Sequence, residues 1–107
     1  MHVRRKLAFY SLVRDHPRGG PKARGFELIL GITLDHIDHL ETEIRSGILE
    51  VPITGVRVNR MGGFNCVVEL RIQGVEERRQ RRATVRTIWR VPHRGAKPRL
   101  VTAFPRS

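Results

Sequence analysis

Two segments in the second half of the chain, residues 64–73 and 82–91, alternate between apolar and polar side chains. Because a strand sends successive side chains to opposite faces, this period of two predicts two β-strands, each with one apolar face. The connection over residues 74–81 is polar and charged, as expected of a turn at the surface. Together these segments predict neighbouring strands of an antiparallel sheet.

Arginines occupy most polar positions of the segment 82–91. If its apolar positions enter a core, the opposite face forms a cationic stripe that suits a polyanion. The residues expected in the core are Val85, Thr87, Trp89 and Val91. The residues expected in the stripe are Arg82, Thr84, Arg86, Ile88 and Arg90. Three more arginines, Arg78, Arg79 and Arg81, precede the stripe in a predicted turn that would grip a polyanion backbone.

The first half of the chain is predicted to be helical after an irregular or extended lead-in at residues 1–13. Pro21 suits the first turn of a helix that Gly31 ends. Thr33 can cap a second helix, whose apolar side chains recur at spacings of three and four: Leu34, Ile37, Leu40, Ile44 and Ile48. We therefore expect two helices within residues 21–50.

The sheet is predicted over residues 51–104. A first strand at 51–60 changes its apolar phase near Gly55, which predicts a β-bulge there, and a short last strand covers 100–104. This order predicts an α+β fold with two N-terminal helices packed on a four-stranded, mainly antiparallel sheet. The length suits a single domain over residues 1–107.

The net charge of +11 comes from 21 Lys and Arg residues against 10 Asp and Glu residues. Nearly all of the excess lies in residues 51–107, and most of the cations are arginines, whose planar fork binds phosphate oxygens in pairs. A phosphate-rich partner, first of all a nucleic acid, is therefore expected. The alternative is a general charge bias that only keeps the protein in solution.

Several classes of protein are disfavoured by what the sequence lacks. No apolar run approaches the ~20 residues of a membrane-spanning helix, and the first residues lack the apolar region of a signal peptide, so we expect a cytoplasmic protein with no membrane partner. Cys66 is the only cysteine and is expected to be an inert buried thiol. No Gly-rich phosphate loop or Cys-x-x-Cys pair is present, so no cofactor is expected.

Groups suited to acid–base chemistry gather around the start of the first predicted helix, at His16, Arg18, Lys22 and Arg24. Amides at a helix N-terminus favour anions, and a histidine exchanges protons near neutral pH. Lys22 or Arg24 could neutralise a phosphate there. The spacing taken alone favours the alternative, an ordinary loop with solvated charges.

A second set follows the last two predicted strands. If these strands are neighbours, Arg86, His93 and Arg99 could share a concave surface with His16 and hold a scissile phosphate. In the alternative, the arginines only face solvent. Trp89 is expected to be a core anchor in both cases.

A third set, His36, His39 and Glu43, has a spacing compatible with one helical face and a divalent metal. These residues lie opposite the apolar stripe of the second helix, so a solvated polar face is favoured. No metal is expected.

Three motifs carry a resemblance. They are His16-Pro17-Arg18-Gly19 with Lys22-Ala23, then Val85-Arg86-Thr87-x-Trp89, then Pro98-Arg99-Leu100-Val101-Thr102. In this order they resemble a family of uncharacterised small bacterial domains, found alone or in polymorphic toxins. The resemblance implies a distant analogy to the barnase–EndoU–colicin–RelE class of ribonucleases. The chain departs from the family in its basic insertion at residues 78–82.

The leading hypothesis is a toxin-like RNA-binding protein, in its sharper form a metal-independent endoribonuclease of a toxin–antitoxin pair. His16 would be the base or acid with His93 in reserve, while Lys22 and Arg86 would hold the phosphate. The expected nucleic-acid-binding residues are Arg18, Arg24, Arg78, Arg79, Arg81, Arg82, Arg90 and Arg99. The implied partners are RNA or another nucleic acid, and a small acidic antitoxin or immunity protein.

Two alternatives stay open. The arginine stripe could belong to a non-catalytic module that binds a nucleic acid or a ribosome, with an affinity that falls steeply with salt. The basic face could instead dock an acidic protein partner.

Overall fold

The computed structural model describes residues 3–8, 12 and 20–106. In this part of the chain the helices are α1 (Val3–Lys6), α2 (Gly20–Leu30) and α3 (Ile37–Gly47), and the strands are β1 (Gly55–Val58), β2 (Phe64–Gln73), β3 (Arg82–Val91) and β4 (Arg99–Pro105). Short 3₁₀ turns cover Leu34–His36 and Glu76–Arg78. None of the helices in the described ranges is long and apolar enough to cross a membrane.

The four strands form one antiparallel sheet in the order β1-β2-β3-β4. The predicted α+β class and the antiparallel sheet are therefore confirmed. Within β1 the register with β2 is unbroken, but just before it the Thr54 amide donates to the Val67 carbonyl at 2.8 Å, and Val67 is also the partner of Gly55. Two residues thus face one near Gly55, as the predicted bulge requires. A second irregularity lies between β3 and β4, where the register shifts between Ile88 and Trp89.

The first predicted helix is confirmed as α2. Its buried side chains, Ala23, Phe26 and Leu30, recur at spacings of three and four, so one stripe faces the core. Gly31 has a φ of 71°, which a glycine adopts without the steric penalty of a Cβ. The amide of Gly31 donates to the Glu27 carbonyl at 2.9 Å and ends the helix there.

The second predicted helix begins with a capped 3₁₀ turn that continues into α3. The Thr33 hydroxyl accepts a hydrogen bond from the Asp35 amide at 3.3 Å, as its position before the apolar stripe predicts. Leu40 and Ile44 are fully buried. Leu34, expected on the same stripe, is 45% exposed, because the 3₁₀ turn rotates it away from the α-helical face.

The irregular lead-in predicted for residues 1–13 is wrong where the structure describes it. Val3–Lys6 is helical, and Val3, Leu7 and Leu12 are buried. All three belong to the same core cluster as residues of the sheet, and α1 contacts α3 and β4, which are distant in sequence. The described part of the chain therefore has three helices before the sheet, with a 3₁₀ turn between β2 and β3, where two helices were predicted.

The helices pack on one face of the sheet and leave the other exposed to solvent. On β3 the alternation is as predicted for Val85, Thr87 and Trp89, which are buried, and for Arg86 and Arg90 on the opposite face. Val91, which was also expected in the core, is only half-buried. Cys66 is only half-buried, since the helices do not cover its part of the sheet completely.

Candidate nucleic-acid interface

The exposed side of the sheet, here called the open face, is built from residues that pair across β2, β3 and β4. Directly paired residues project to the same side of a sheet, so the register arranges them in rows. The rows are Arg71, Thr84 and Arg106; Glu69, Arg86 and Phe104; Val67, Ile88 and Thr102; and Asn65, Arg90 and Arg99. These four rows contain five arginines and one carboxylate.

Lys22 reaches the open face from α2, which lies beside the edge strand β4. A Cβ at Gly25 would come within 3.3 Å of the Pro105 ring, so the missing side chain allows this close approach. The Lys22 ammonium donates to the Thr102 hydroxyl at 2.8 Å and lies 5.6 Å from the centre of the Phe104 ring. The latter contact is a cation–π arrangement.

Phe104 is a half-buried aromatic side chain in the middle of this cluster. Arg86 is its partner across β3 and β4, while Lys22 lies over its ring. An open depression of about 240 Å³ beside the ring is lined by Pro21, Lys22, Gly25, Phe104 and Pro105. A planar ligand at the ring would meet the Lys22 ammonium there and Arg86 on the neighbouring strand.

Arg86 is anchored by a carboxylate on the neighbouring strand. Its Nε and Nη2 atoms donate to Glu69 at 3.3 and 2.8 Å, and Arg106 donates to both oxygens of Glu69 at 2.8 and 3.0 Å. The hydrogen bonds from Arg86, with those from Arg106, lower the pKa of Glu69 against the opposing effect of burial. Glu69 therefore stays ionised and orients two guanidinium groups on the open face.

The sequence predicts that Arg86 holds a phosphate, and the ion pair with Glu69 reduces its capacity to do so. Its side chain is 35% exposed, and its bonds to Glu69 use two of the five guanidinium N–H groups. Arg86 can still bind a phosphate through its remaining N–H groups, but Glu69 neutralises part of its positive charge.

Thr87 and Trp89 form a buried pair beneath the open face. The Thr87 hydroxyl donates to the Val68 carbonyl at 2.7 Å and accepts from the Trp89 indole N–H at 2.8 Å. Trp89 is 3% exposed, which confirms its prediction as a core anchor. The Thr-x-Trp spacing thus satisfies two buried polar groups, and neither side chain can contact a ligand on the open face.

The basic turn before β3 contains arginines with structural contacts. Arg78 donates to the Leu28 carbonyl near the end of α2 at 3.3 Å, and Arg79 donates to the Glu76 carbonyl at 3.2 Å. Arg81 and Arg82 are exposed. Because a strand rises about 3.4 Å per residue, Arg82 lies roughly 14 Å along β3 from Arg86.

The other end of the sheet carries Arg90 and Arg99, which are paired across β3 and β4. His93 lies beyond them in the β3–β4 connection, where it is exposed and its Nδ1 atom is 3.2 Å from the Arg94 carbonyl oxygen. The described structure therefore separates His93 from the cluster of Lys22 and Arg86.

Two predicted site residues, His16 and Arg18, lie outside the described residues, and with them the expected meeting of their loop with β3. Arg24 is described and is exposed on α2.

The polar side chains proposed as possible metal ligands make structural contacts instead. His39 Nε2 donates to the Gln73 carbonyl at 2.8 Å, Glu43 accepts from the Gln73 amide at 3.3 Å, and His36 bonds within the Thr33 cap. The expected solvated face is thus partly buried against the end of β2. Among the described residues, no group of His, Cys, Asp and Glu side chains could hold a metal ion.

Sequence reasoning missed Glu69, Phe104 and Arg106 as members of the site. Glu69 occupies an outward position in the alternation of β2, which was a usable signal. The sequence predicts Phe104 only as part of a short last strand. The register shift between β3 and β4, which turns Phe104 to the open face, has no signal in the sequence.

The fold and the basic open face define a class: small α+β domains whose antiparallel sheet is covered by helices on one side only. The model of one family, Domain of unknown function (DUF6883), matches residues 2–107, and the chain belongs to this family. No curated protein and no solved structure matches the chain.

Proposed function

We propose that this protein binds RNA on the open face of its sheet. The observation that carries the proposal is the half-buried Phe104 ring with Lys22 against it and Arg86 beside it, on a face rich in arginines. Aromatic rings on an exposed sheet stack unpaired bases, and arginines beside them bind the phosphates. Single-stranded RNA presents both groups together.

Several features of the open face support a single-stranded ligand. The Phe104 ring lines an open depression, and a base can stack on it only after leaving its own stack, as the bases of single strands do. Arginines lie on both sides of the Phe104 row, at Arg71 and Arg106 and at Arg90 and Arg99. A strand of RNA that crosses the ring would therefore meet cations in both directions.

The test is the affinity for a fluorescein-labelled single-stranded RNA, measured by anisotropy. Phe104→Leu keeps an apolar side chain but removes the stacking surface, and should weaken binding about tenfold, since stacking contributes ~1–3 kcal/mol per base. Arg45→Ala is the matched control, because Arg45 is an exposed arginine on α3, which packs on the opposite face of the sheet. Equal affinity of Phe104→Leu and wild type would refute the proposed surface.

We propose metal-independent RNA cleavage as a second function, which the juxtaposition of Lys22, Arg86 and Phe104 favours. A nucleotide stacked on Phe104 would place its phosphate near both cations, which could stabilise the charge that develops as the ribose 2′-oxygen attacks phosphorus and the 5′-oxygen leaves. His16 is the candidate base or acid. The distant analogy between the family that the motifs resemble and the barnase–EndoU–colicin–RelE class of ribonucleases supports this function.

Cleavage is tested by incubating the protein with RNA in EDTA. We expect wild type to produce fragments, and Lys22→Met and His16→Ala to lose this activity while they still bind RNA. Intact RNA with wild type would exclude cleavage and leave the binding proposal standing. A toxin role adds a further expectation: induced expression in bacteria should arrest growth, and Lys22→Met should relieve the arrest.

A further inference from the structure

An apolar groove lies on the helix-bearing side of the sheet, beyond the end of α3. It encloses about 190 Å³, and its lining includes Ile48, Ile53, Cys66, Trp89 and Val91. The groove is on the opposite side of the sheet from the open face, because Trp89 and Cys66 pair with each other on the core side. It therefore plays no part in the proposed RNA site.

The groove continues into exposed apolar side chains on β1. Val56 and Val58 pair with Cys66 and Phe64, so they share its side of the sheet. Val56 is 59% exposed and Val58 is 79% exposed. An apolar surface that runs from a groove onto an edge strand is typical of a protein–protein contact.

The charge around the groove indicates the kind of partner. The segments that surround it, residues 48–68 and 89–99, contain one acidic side chain, Glu50. Of their basic side chains, Arg57, Arg90 and Arg99 lie on the open face, which leaves Arg60, Arg94 and Lys97 in the β1–β2 and β3–β4 connections beside the groove. A second copy of this chain would bring the same positive charge and be repelled, whereas an acidic protein would be attracted.

The fold also indicates the form of the partner segment. Elsewhere on this side of the sheet, helices cover the strands, and the groove begins where α3 ends, at its C-cap residue Ile48. One more helix placed there would extend the helical layer across the sheet. An amphipathic helix buries an apolar stripe and leaves its charged side chains at the rim.

We propose that this groove docks an amphipathic helix of an acidic protein partner. The apolar side chains of the helix enter the groove, and its carboxylates face the basic residues around it. The inference does not depend on the RNA-binding proposal, because it concerns the other side of the sheet.

The protein contains its own reporters for this contact. Trp89 and Cys66 are the only tryptophan and the only cysteine of the sequence, and both line the groove. The probe is a synthetic helical peptide of leucine and glutamate, with the leucines on one helical face, added to the full-length protein at physiological salt. Binding should change the Trp89 emission and slow the reaction of Cys66 with a thiol reagent.

Two matched comparisons make the test specific. Ile53→Glu places a carboxylate at the groove and should weaken peptide binding about tenfold, which corresponds to about 1.4 kcal/mol. Leu28→Glu makes the same change of charge at an exposed leucine of α2 outside the groove lining, and should leave binding unchanged. If Ile53→Glu fails to fold, Val58→Glu replaces it. Ile53→Glu and its replacement Val58→Glu should bind RNA as wild type does.

Several results would overturn the proposal. One is that wild type does not bind the helical peptide, and another is that Leu28→Glu weakens peptide binding as much as Ile53→Glu does. A third is that wild type binds more tightly a peptide of the same composition in which leucine and glutamate alternate, because that pattern favours an extended strand. Cys66 that is unreactive without peptide would mean that the chain itself covers the groove. Self-association that Ile53→Glu abolishes would make a second copy the occupant.

Discussion

At the scale of single residues, the spacing Thr87-x-Trp89 has a structural explanation. Replacing Thr87 by Val keeps its shape but removes the acceptor for the buried Trp89 indole N–H. An unsatisfied buried donor costs about 1–3 kcal/mol, so we expect Thr87→Val to be destabilised by this amount in urea unfolding. Thr84→Val, on the open face of the same strand, should change stability by less than about 0.5 kcal/mol. Equal effects of the two substitutions would contradict the assigned role.

Glu69 gives the stability of the protein a defined dependence on pH. Its pKa is lowered in the folded state, chiefly by hydrogen bonds from Arg86, so its carboxylate stabilises the fold above the pKa of the unfolded chain. This contribution is lost as the pH falls through the folded-state pKa. Wild type should therefore melt at a higher temperature than Glu69→Gln at pH 7, and the difference should shrink below about pH 4.

The control for this experiment is Glu50→Gln, because Glu50 is an exposed carboxylate in the turn after α3. Its melting temperature should follow that of wild type across the same pH range. A constant difference between wild type and Glu69→Gln across the range from neutral pH to about pH 3 would show that the ion pair with Arg86 does not set the dependence.

At the scale of elements, the turn between β1 and β2 depends on two adjacent glycines with different constraints. Both have positive φ, 95° at Gly62 and 74° at Gly63. A Cβ at Gly62 meets nothing within 4 Å, whereas one at Gly63 would lie 2.1 Å from the Val91 carbonyl oxygen. Gly62→Ala should cost only the conformational penalty of about 1–2 kcal/mol, and Gly63→Ala clearly more, as measured by urea unfolding. The reverse order would contradict the close approach of Gly63 to the end of β3.

The elements that could be predicted from the sequence are those with strong local signals. The ends of α2 follow from Pro21 and Gly31, and β2 and β3 follow from alternation over ten residues each. The helix α1 has no such signal, because Val3 and Leu7 are buried by residues distant in sequence. Predicted boundaries failed wherever burial was decided by the tertiary fold.

The candidate site could be predicted only in part, for a related reason. The alternation of β3 correctly placed Arg86 and Arg90 on the face away from the core. The ion pair of Arg86 with Glu69 depends on the register between two strands, and the contact of Lys22 with Thr102 joins positions 80 residues apart. Neither relation leaves a pattern in a single sequence.

At the scale of the whole molecule, one side of the sheet is a basic open face and the other has an apolar groove, and the net charge of +11 favours anionic partners on both sides. If RNA lies along the open face, its affinity must fall with salt, because each phosphate neutralised by an arginine releases counterions. The slope of log K against log salt should decrease by about 0.7 for each phosphate contact removed from a single strand. The paired residues Arg90 and Arg99 are the clearest place to remove contacts.

We therefore expect the double substitution Arg90→Gln with Arg99→Gln to reduce the salt slope by up to about 1.4, since two phosphate contacts are lost. The measurement is anisotropy of a labelled single-stranded RNA at a series of salt concentrations. Arg45→Gln changes an exposed arginine of α3, on the helix-bearing side, and should leave the slope unchanged. If the general field of the molecule attracted RNA without a defined path, every arginine would contribute alike, and the slope would fall with each charge removed wherever it lies. A lower slope in the double variant, with an unchanged slope in Arg45→Gln, would instead locate the path of the RNA on the open face.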